Sequence, residues 1–388
     1  IVRLYDMAIK MGAPVIGLVD CAGLRLQEAT DALNAFGEVY LKQTLVSGVI
    51  PQITAVFGNC GGGLSILAGM SDFTFMTDKA NLFVNSPNAL DGSYTSKCDT
   101  SSAKFQSEET SNVDFVGEES EVISKVRELI SMIPANNEDD MSYEECSDDL
   151  NRICSGIENE VSDMQTLLEI ISDNSVLFET KRDFATDVVT GLIRLNGSTV
   201  GAIANNTDLL SANGASKIEE FVNFCDAFSI PIVSFTNVSG FETTMCQEKK
   251  LAKACAKLTY AFANATVPKI NVVVKNAFGS AYVMMNSKGI GADVVFAWPD
   301  AKIGMMNAES AAKIMYYDEI NKSDSANAMV AEKAAEYEKL QLSSNSAASR
   351  GYVDNIINPE DTRKYLIGAL EMLFTKREDR PDKKHGTV

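Results

Sequence analysis

Two glycine-rich segments could carry chemistry through backbone amides instead of reactive side chains. The first, at 61–63, separates an apolar run over 52–57 from a helix-like run over 64–70. The second, at 279–281, follows the apolar run 269–274 in the same way. Glycine lets a ligand approach the backbone, and a helix that starts there presents free N–H groups and its positive dipole end. We therefore expect each segment to bind an anion, either a phosphate or a developing oxyanion.

The sequence contains a single histidine, His385, close to the C-terminal end. A Ser-His-Asp or Cys-His mechanism needs an imidazole between other catalytic groups, and chain ends fray. We therefore interpret His385 as an exposed tail residue, and we predict neither histidine-based nucleophilic catalysis nor a metal site.

Composition narrows the class of protein. The 388 residues exceed one ordinary core, so two domains are expected. The formal net charge of −19 disfavours nucleic acid and anionic membranes as partners, because both need a basic face. No apolar run has the length of a membrane span, so no membrane insertion is predicted. The 8 cysteines contain no Cys-x-x-Cys pair, which argues against a zinc ribbon, and we expect reduced thiols in a cytoplasmic protein.

An internal repeat organises the chain. Equivalent residues recur at an offset of 217, as from Pro14 to Pro231, and later at 221, as from Asp72 to Asp293. One proline pair could match by chance, but a whole set in one register indicates a duplication. The other pairs at 217 are Gly23 and Gly240, Pro51 and Pro268, and Gly62 and Gly279, and a second pair at 221 is Ala80 and Ala301.

Each copy alternates helices with apolar strands. Such alternation predicts an α/β fold in which helices layer on largely parallel sheets through right-handed crossovers. The predicted elements are a helix over 4–11 and strands over 15–19, 52–57 and 73–75 in the first copy, and a helix over 221–228 and strands over 232–235, 269–274 and 294–296 in the second.

A hairpin precedes the second copy, since Asn196-Gly197 separates two β-rich runs within 188–205. The first copy opens directly on its helix, so the duplication predicts a further hairpin before residue 1, unless this copy does without one. Between the copies, residues 91–160 are polar and acidic, and we predict a helix that ends before Pro134 followed by a solvated linker. We interpret these carboxylates as a charged surface rather than as metal ligands.

Five segments closely resemble the carboxyltransferase subunits of biotin-dependent acyl-CoA carboxylases and decarboxylases, of the crotonase-like superfamily. The resemblance covers nearly the whole chain apart from 95–185 and the tail. It implies an α/β fold of two duplicated crotonase-like (ClpP/crotonase) domains with β-sheets layered by helices, of which 1–147 is the acyl-CoA side and 148–388 the biotin side. The segments are 11–33, 47–76, 189–205, 223–241 and 265–303, the last with Ala-Trp-Pro at 297–299.

The resemblance also implies a mechanism. Gly62 and Gly63 match the amides that bind the enolate oxygen of the thioester, and Ser280 and Ala281 match those that bind the ureido oxygen of biotin. In such enzymes carboxybiotin releases CO2, biotin takes the α-proton of a short-chain acyl-CoA, and the enolate recaptures CO2. The protein then supplies two preorganised oxyanion holes and proximity, which suits a chain without a usable histidine.

Further residues and partners follow from the same resemblance. Arg25 could contact a CoA phosphate, although an ion pair is an equal alternative, and the small apolar Val283 would accept a short acyl group. The implied partners are a biotin carboxyl carrier protein and a biotin carboxylase. The implied assembly is a homo-oligomer, a dimer or a trimer of dimers, with active sites between subunits. The other implied binding residues are Gly23, Gly61, Gly240, Phe278, Gly279 and Tyr282.

One departure from the family pattern lies in the first half, where Ala22-Gly23-Leu24-Arg25 replaces the usual Gly-Gly-Ala-Arg, and three lie on the biotin side. Ser280 replaces the middle residue of the usual Gly-Gly-Ala, Ser239 replaces the proline of Val-Pro-Gly-Phe, and the loop over 242–255 lacks the usual Pro-Gly-Thr-Asp-Gln-Glu and His-Gly segments.

The sequence leaves three other functions to consider. A decarboxylase subunit would use the same two holes in the reverse direction. A hydratase or isomerase needs a Glu or Asp side chain after the glycine turns, and neither 64–66 nor 282–284 offers one. A non-catalytic relative that scaffolds a carboxylase complex is the alternative that the biotin-side departures favour.

Overall fold

The computed structural model describes residues 1–21, 23–90, 98–139, 143–323 and 325–381, so the interpretation of His385 falls outside the described residues. The chain forms two compact units. The first comprises Ile1–Tyr143, Phe178–Ala185 and Ala227–Ser229, and the second comprises Glu144–Leu177, Thr186–Asp226 and Ile230–Val388. The domains 1–147 and 148–388 stay a prediction.

The first unit begins with the predicted helix, which ends at Gly12 in the left-handed region that favours glycine. The predicted helix before Pro134 is confirmed as Glu119–Met132, and the polar residues ahead of it also contain a short helix capped by Ser102 and a short strand that were not predicted. The elements are α1 (Val2–Met11), β1 (Val15–Val19), α2 (Ala29–Val46), β2 (Gln52–Val56), β3 (Asn59–Gly61), α3 (Gly63–Gly69), β4 (Phe73–Thr77), β5 (Asn81–Phe83), α4 (Ala103–Glu108), β6 (Phe115–Gly117) and α5 (Glu119–Met132).

The strands of this unit form two parallel sheets. The larger has the order β1-β2-β4-β6, and β3 pairs with β5 beside it. Every residue of β2 and β4 is buried, as continuous apolar runs predict for parallel strands. The core between the sheets and helices includes Val56, Cys60, Met76 and Leu82.

The second unit contains the predicted hairpin. Asn196 and Gly197 both have positive φ, as a two-residue hairpin turn requires. Apart from β7 (Leu177–Thr180), which falls almost wholly in the 178–185 segment of the first unit, the remaining elements are α6 (Met164–Ile171), β8 (Val188–Leu195), β9 (Ser198–Asn205), β10 (Leu209–Leu210), α7 (Ala212–Ala227), β11 (Ile232–Val238), β12 (Gly240–Phe241), α8 (Met245–Asn264), β13 (Lys269–Phe278), α9 (Gly279–Met284), β14 (Val294–Ala297), β15 (Lys302–Gly304), α10 (Ala308–Met315), α11 (Tyr317–Lys322), α12 (Ala326–Tyr337), α13 (Ser344–Ser349), β16 (Asn355–Ile356) and α14 (Thr362–Leu373).

A single large sheet organises the second unit. Within this unit the strands follow the order β16-β14-β13-β11-β9-β8, β15 also pairs with β13, and these neighbours are parallel except in the β8–β9 hairpin. One face packs against α6 and α14 in a core that includes Leu168, Phe235 and Trp298. The opposite face holds a second cluster with Val273, Ala277 and Ile303. No helix in the described ranges is both long and apolar enough to cross a membrane.

Strand register confirms the internal repeat. Ile53 lies opposite Phe73 in the first unit, and Ile270 lies opposite Val294 in the second, which reproduces the offsets of 217 and 221. Side chains follow the same symmetry. Asp72 accepts a hydrogen bond from the backbone N–H of Gln52 at 2.7 Å, and their counterparts Asp293 and Lys269 repeat it at 2.8 Å.

Candidate active site

The strand that leads to each glycine turn carries the same bulge. In the second unit, Thr236 lies opposite Val273, but Val238 lies opposite Ala277, so β13 contains two extra residues at this point. In the first unit, Val19 lies opposite Val56, and the N–H of residue 21 then donates to the carbonyl of residue 59 at 2.8 Å. Bulges redirect a strand beside functional sites, and here the redirected segment runs straight into the glycine turn.

A side chain closes the bulge in both units. The Oδ1 atom of Asp20 accepts a hydrogen bond from the N–H of Asn59 at 3.1 Å. Its counterpart Asn237 accepts one from the N–H of Asn276 at 3.3 Å. A Cβ atom at Gly58 would lie 2.0 Å from Asp20 Oδ1, so this clamp leaves no room for a side chain there. The two clamps hold the approach to each turn in the same geometry.

The turn itself depends on a glycine in each copy. Gly62 has a φ of 62° and Gly279 a φ of 61°, a region that disfavours residues with a Cβ atom. A Cβ atom at Gly279 would also lie 3.2 Å from the carbonyl oxygen of Met305, whereas one at Gly62 would meet nothing within 4 Å. Gly62 directly precedes the short helix α3 and Gly279 begins the short helix α9, and the first amides of each helix have no partner within the helix.

The N–H of Gly62 is already engaged, because it donates to the carbonyl oxygen of Phe83 at 2.9 Å. Among the described residues, no backbone acceptor pairs with the N–H groups of Gly63 and Leu64. Leu64 was not a candidate from the sequence. The offset of 217 could have identified it, since it places Gly63 and Leu64 at the positions of Ser280 and Ala281.

The side chains of Phe36 and Tyr40 form an aromatic pair that contacts the first glycine turn. The Tyr40 hydroxyl donates to the carbonyl oxygen of Gly63 at 2.7 Å, and the ring of Phe36 lies 5.7 Å from that of Tyr40. A Cβ atom at Gly63 would lie 2.8 Å from the Tyr40 hydroxyl, and one at Gly61 would lie 2.7 Å from the Phe83 ring. Burial raises the pKa of Tyr40, so its hydroxyl stays protonated and keeps donating. The turn therefore has little freedom to move.

The second turn accommodates its serine without backbone strain. Ser280 does not have a positive φ, and its side chain is exposed at the start of α9. No backbone acceptor among the described residues pairs with the N–H groups of Ser280 and Ala281. Phe278 is buried against Ala308 before the turn, which anchors the end of β13.

The two residues after Ala281 differ in exposure. Tyr282 packs against the cluster around Val273, and burial raises its pKa to about 12, so it is a neutral phenol at physiological pH. Val283 is 46% exposed on α9, which leaves its side chain available for contact with a ligand.

A buried polar network lies behind the C-terminal end of α9. The Thr236 hydroxyl donates to Asn271 Oδ1 at 2.8 Å, and Asn286 Nδ2 donates to Ser234 Oγ at 3.0 Å and to the Ile270 carbonyl at 3.1 Å. All four side chains are fully buried. Asn286 has a φ of 54°, which asparagine tolerates better than most residues. Because α9 has only six residues, whatever holds its C-terminal end also orients the amides at its start.

The remaining predicted residues lie at the surface of their own units. Gly23 is exposed with a φ of 107°, and the Arg25 side chain is 83% exposed and 3.8 Å from Glu28, an ion pair too exposed to contribute much stability. Gly240 lies in β12 opposite Leu209. Ser239 Oγ accepts a hydrogen bond from Asn276 Nδ2 at 3.2 Å, so this departure from the family pattern contacts the bulge.

No group of three or more potential metal ligands occurs in the described part of the chain.

Two α/β units with largely parallel sheets, each with the same bulge, a glycine of positive φ and a short helix, define a crotonase-type carboxyltransferase. The sequence matches the family described as "Carboxyl transferase domain" over residues 1–388, and the chain belongs to this family.

Curated relatives agree with this assignment. The chain is 38% identical, over its whole length and 78% of the relative, to the propionyl-CoA carboxylase carboxyltransferase subunit of Haloferax mediterranei. It is 36% identical to the methylmalonyl-CoA carboxyltransferase 12S subunit of Propionibacterium freudenreichii, over its whole length and 76% of that relative. It is 35% identical to the methylmalonyl-CoA decarboxylase subunit alpha of Veillonella parvula, of which it covers 78%.

Solved structures agree as well. A transcarboxylase 12S crystal structure with methylmalonyl-coenzyme A and methylmalonic acid bound, described as a hexamer assembly, has a TM-score of 0.94 and 35% identity, covering 99% of this chain and 77% of that one. A single-chain long-chain acyl-CoA carboxylase has a TM-score of 0.76 over 95% of this chain and 37% of that one; at 22% identity it shows the fold alone.

Proposed function

We propose that the protein transfers a carboxyl group between biotin and the α-carbon of a short-chain acyl-CoA. The observation that carries the proposal is the repeated turn, because in each unit two adjacent amides after a glycine with positive φ have no backbone acceptor among the described residues. Membership of the carboxyl transferase family supports the reaction class. The names of the relatives favour propionyl-CoA and methylmalonyl-CoA as substrates.

The first turn is proposed to act on the acyl-CoA. As a base removes the α-proton, negative charge develops on the thioester oxygen, and the N–H groups of Gly63 and Leu64 are placed to donate to it. Gly62, named with Gly63 from the family pattern, then shapes the turn, because its own N–H is bonded to Phe83. Removing one donor from an oxyanion hole typically lowers kcat by about 10²–10³-fold.

The second turn is proposed to receive biotin. The ureido oxygen is an acceptor, and the unpaired N–H groups of Ser280 and Ala281 are donors, so the two fit. Biotin, when bound, supplies the carboxyl carrier and the base. The protein holds the ureido oxygen, the exposed side chain of Ser280 is proposed to flank it, and the exposed side chain of Val283 is proposed to contact the short acyl group. Tyr282 packs against the cluster around Val273 and, as a neutral phenol, adds no charge beside the turn.

The other expectations remain part of this proposal. The partners are a biotin carboxyl carrier protein and a biotin carboxylase, and a homo-oligomer places the first half of one subunit against the second half of another. The hexamer named for the similar transcarboxylase supports an oligomer. Arg25, whose side chain is exposed, remains available for a CoA phosphate. Cys21, Cys60, Cys146, Cys154, Cys225, Cys246 and Cys255 form no disulfide in the described structure, which supports a reducing compartment such as the cytoplasm.

The reverse direction is a second candidate, and the similarity to a methylmalonyl-CoA decarboxylase subunit favours it. The same amides stabilise the same enolate in either direction, so the turns serve both. Which direction operates in the cell depends on the partner that loads or unloads biotin.

Turnover of carboxylated CoA esters tests the proposal. The protein is incubated with malonyl-CoA or methylmalonyl-CoA and a biotin derivative, and loss of the ester is followed by mass spectrometry. Biotin-dependent decarboxylation is the expected result. Binding of the esters without turnover would contradict catalysis and favour the scaffold alternative. The absence of both binding and turnover would contradict the proposed substrate class.

A further inference from the structure

Two cysteines lie opposite each other where the first sheet meets its glycine turn. The N–H of Cys21 donates to the carbonyl oxygen of Asn59 at 2.8 Å. In a parallel ladder, the acceptor carbonyl belongs to the residue before the one that lies opposite the donor, as Val15 and Gln52 show in the same sheet. The residue opposite Cys21 is therefore Cys60.

The second unit supports this pairing independently. By the offset of 217, the counterparts of Cys21 and Cys60 are Val238 and Ala277, and these two residues are direct partners across β11 and β13. Paired strands lie about 4.8 Å apart, and the side chains of opposite residues project from the same face of the sheet. A disulfide needs a Cα–Cα separation of roughly 4.4–6.8 Å, so the two thiols are within bonding reach.

The two thiols differ in access to solvent. Cys21 is exposed, and its Sγ atom accepts a hydrogen bond from the N–H of Gly23 at 3.4 Å. Cys60 is fully buried. Burial, with a smaller contribution from Cys21, raises the pKa of Cys60 to about 11, so its thiol is unreactive toward reagents in bulk water. An oxidant therefore meets Cys21 first and Cys60 only through Cys21.

We propose that Cys21 and Cys60 form a dithiol modification site, which an oxidant of the hydrogen peroxide class converts to a disulfide. The Cys21 thiolate attacks one peroxide oxygen, the O–O bond breaks, and hydroxide leaves with the thiol proton as water. This gives a sulfenic acid on Cys21. The Cys60 sulfur then attacks the Cys21 sulfur, the S–O bond breaks, and the departing hydroxide takes the Cys60 proton as a second water. Two electrons pass from the thiols to one peroxide.

The disulfide would tie the end of β1 to the residue before Gly61. Both ends of the bridge lie at the bulge, where the Asp20 clamp holds the backbone. Because Cys21 is exposed, a dithiol reductant can reach its sulfur, and the disulfide is expected to open again by thiol–disulfide exchange. The site is independent of the proposed carboxyl transfer, because its chemistry involves only the chain's own thiols.

Peptide mapping by mass spectrometry tests the site. The full-length protein is treated with hydrogen peroxide, its remaining free thiols are alkylated, and the peptides that contain residues 21 and 60 are analysed before and after dithiothreitol. A cross-linked peptide pair that dithiothreitol separates is expected. Cys21→Ser, an exposed substitution, should abolish it, whereas Cys246→Ser, which removes another exposed thiol, should leave it unchanged.

Two results would overturn the site. One is oxidation of Cys21 to sulfinic acid while Cys60 is recovered as an alkylated free thiol under denaturing conditions. The other is recovery of both thiols unmodified at a peroxide concentration that oxidises Cys246. Neither result would bear on carboxyl transfer, which the turnover of CoA esters measures separately.

Discussion

At the scale of the residue, the candidate chemistry depends on backbone geometry that a few side chains maintain. The N–H groups of Gly63 and Leu64 are available because the Gly62 N–H is bonded to Phe83 and because Tyr40 holds the Gly63 carbonyl. Residue-level substitutions therefore act on the turn through hydrogen bonds and sterics rather than through loss of a reactive group.

Tyr40→Phe tests the support of the first turn. The change removes only the hydroxyl that donates to the Gly63 carbonyl at 2.7 Å. Loss of one such bond costs about 0.5–1.5 kcal/mol, and a looser turn should lower kcat with CoA esters. Chemical denaturation and steady-state kinetics measure the two effects. An unchanged kcat at reduced stability would show that Tyr40 supports the fold but not the donor geometry.

Asp72→Asn tests a buried carboxylate. Burial raises the pKa of Asp72 to about 6, with Asp114 adding to the shift and the Gln52 N–H opposing it. The folded state therefore holds more protons than the unfolded state between roughly pH 4 and 6, and the free energy of unfolding falls as pH rises through this window. In the variant, this decrease in the free energy of unfolding, which is at most about 3 kcal/mol, should be absent.

Denaturant unfolding at pH 4 and pH 7 measures this effect. Asp72→Asn should be more stable relative to the wild type at pH 7 than at pH 4. Asp31→Asn, at an exposed position of α2, is the control and should track the wild type at both values. A constant difference between Asp72→Asn and the wild type would contradict the raised pKa.

At the scale of the element, the bulge and the short helix that follow each strand define the site. The apolar runs, the prolines and Asn196-Gly197 predicted most strands and the hairpin from the sequence, because these signals are local. The bulge has no local signal. It depends on hydrogen bonds between β1 and β3 and between β11 and β13, which only the folded sheets reveal. For the same reason the bond from Gly62 to Phe83, and with it the role of Leu64, could not be deduced from the sequence.

Thr236→Val tests whether the buried network positions α9. The substitution keeps the shape of the side chain but removes the hydroxyl that donates to Asn271 at 2.8 Å. Leaving buried polar groups unsatisfied costs about 1–3 kcal/mol. If the network orients the amides of Ser280 and Ala281, KM for the biotin derivative should rise while KM for the CoA ester stays constant.

Thr236→Ser is the matched control, because it retains the hydroxyl. Its KM for the biotin derivative should remain near that of the wild type even if the lost methyl group lowers the melting temperature. Equal KM values for the valine and serine variants would show that the network contributes only to stability.

At the scale of the whole molecule, the duplication explains how one chain could serve two ligands. Each unit carries its own turn, and the units differ around it: the first has Tyr40 and the Cys21–Cys60 pair, whereas the second has a buried polar network and the exposed Ser280. The offset of 217 predicted the duplication. The assignment of segments 178–185 and 227–229 to the first unit depends on long-range contacts that no sequence pattern indicated.

The most direct test compares three glycine-to-alanine variants that share a positive φ. Gly62→Ala and Gly351→Ala add a Cβ atom with nothing within 4 Å, and Gly279→Ala adds one 3.2 Å from a carbonyl oxygen. Each places a Cβ atom on a backbone with positive φ, which costs on the order of 1–3 kcal/mol, so Gly351→Ala, which lies outside both turns, controls for backbone strain. Biotin-dependent turnover of methylmalonyl-CoA is then measured, with separate KM values for the ester and for the biotin derivative.

Gly351→Ala should retain the turnover of the wild type. Gly62→Ala should impair the reaction of the CoA ester and Gly279→Ala that of biotin, each by at least about ten-fold, as expected for a displaced oxyanion donor. Turnover in Gly62→Ala and Gly279→Ala equal to that in Gly351→Ala would contradict the proposal that the two turns form the oxyanion holes.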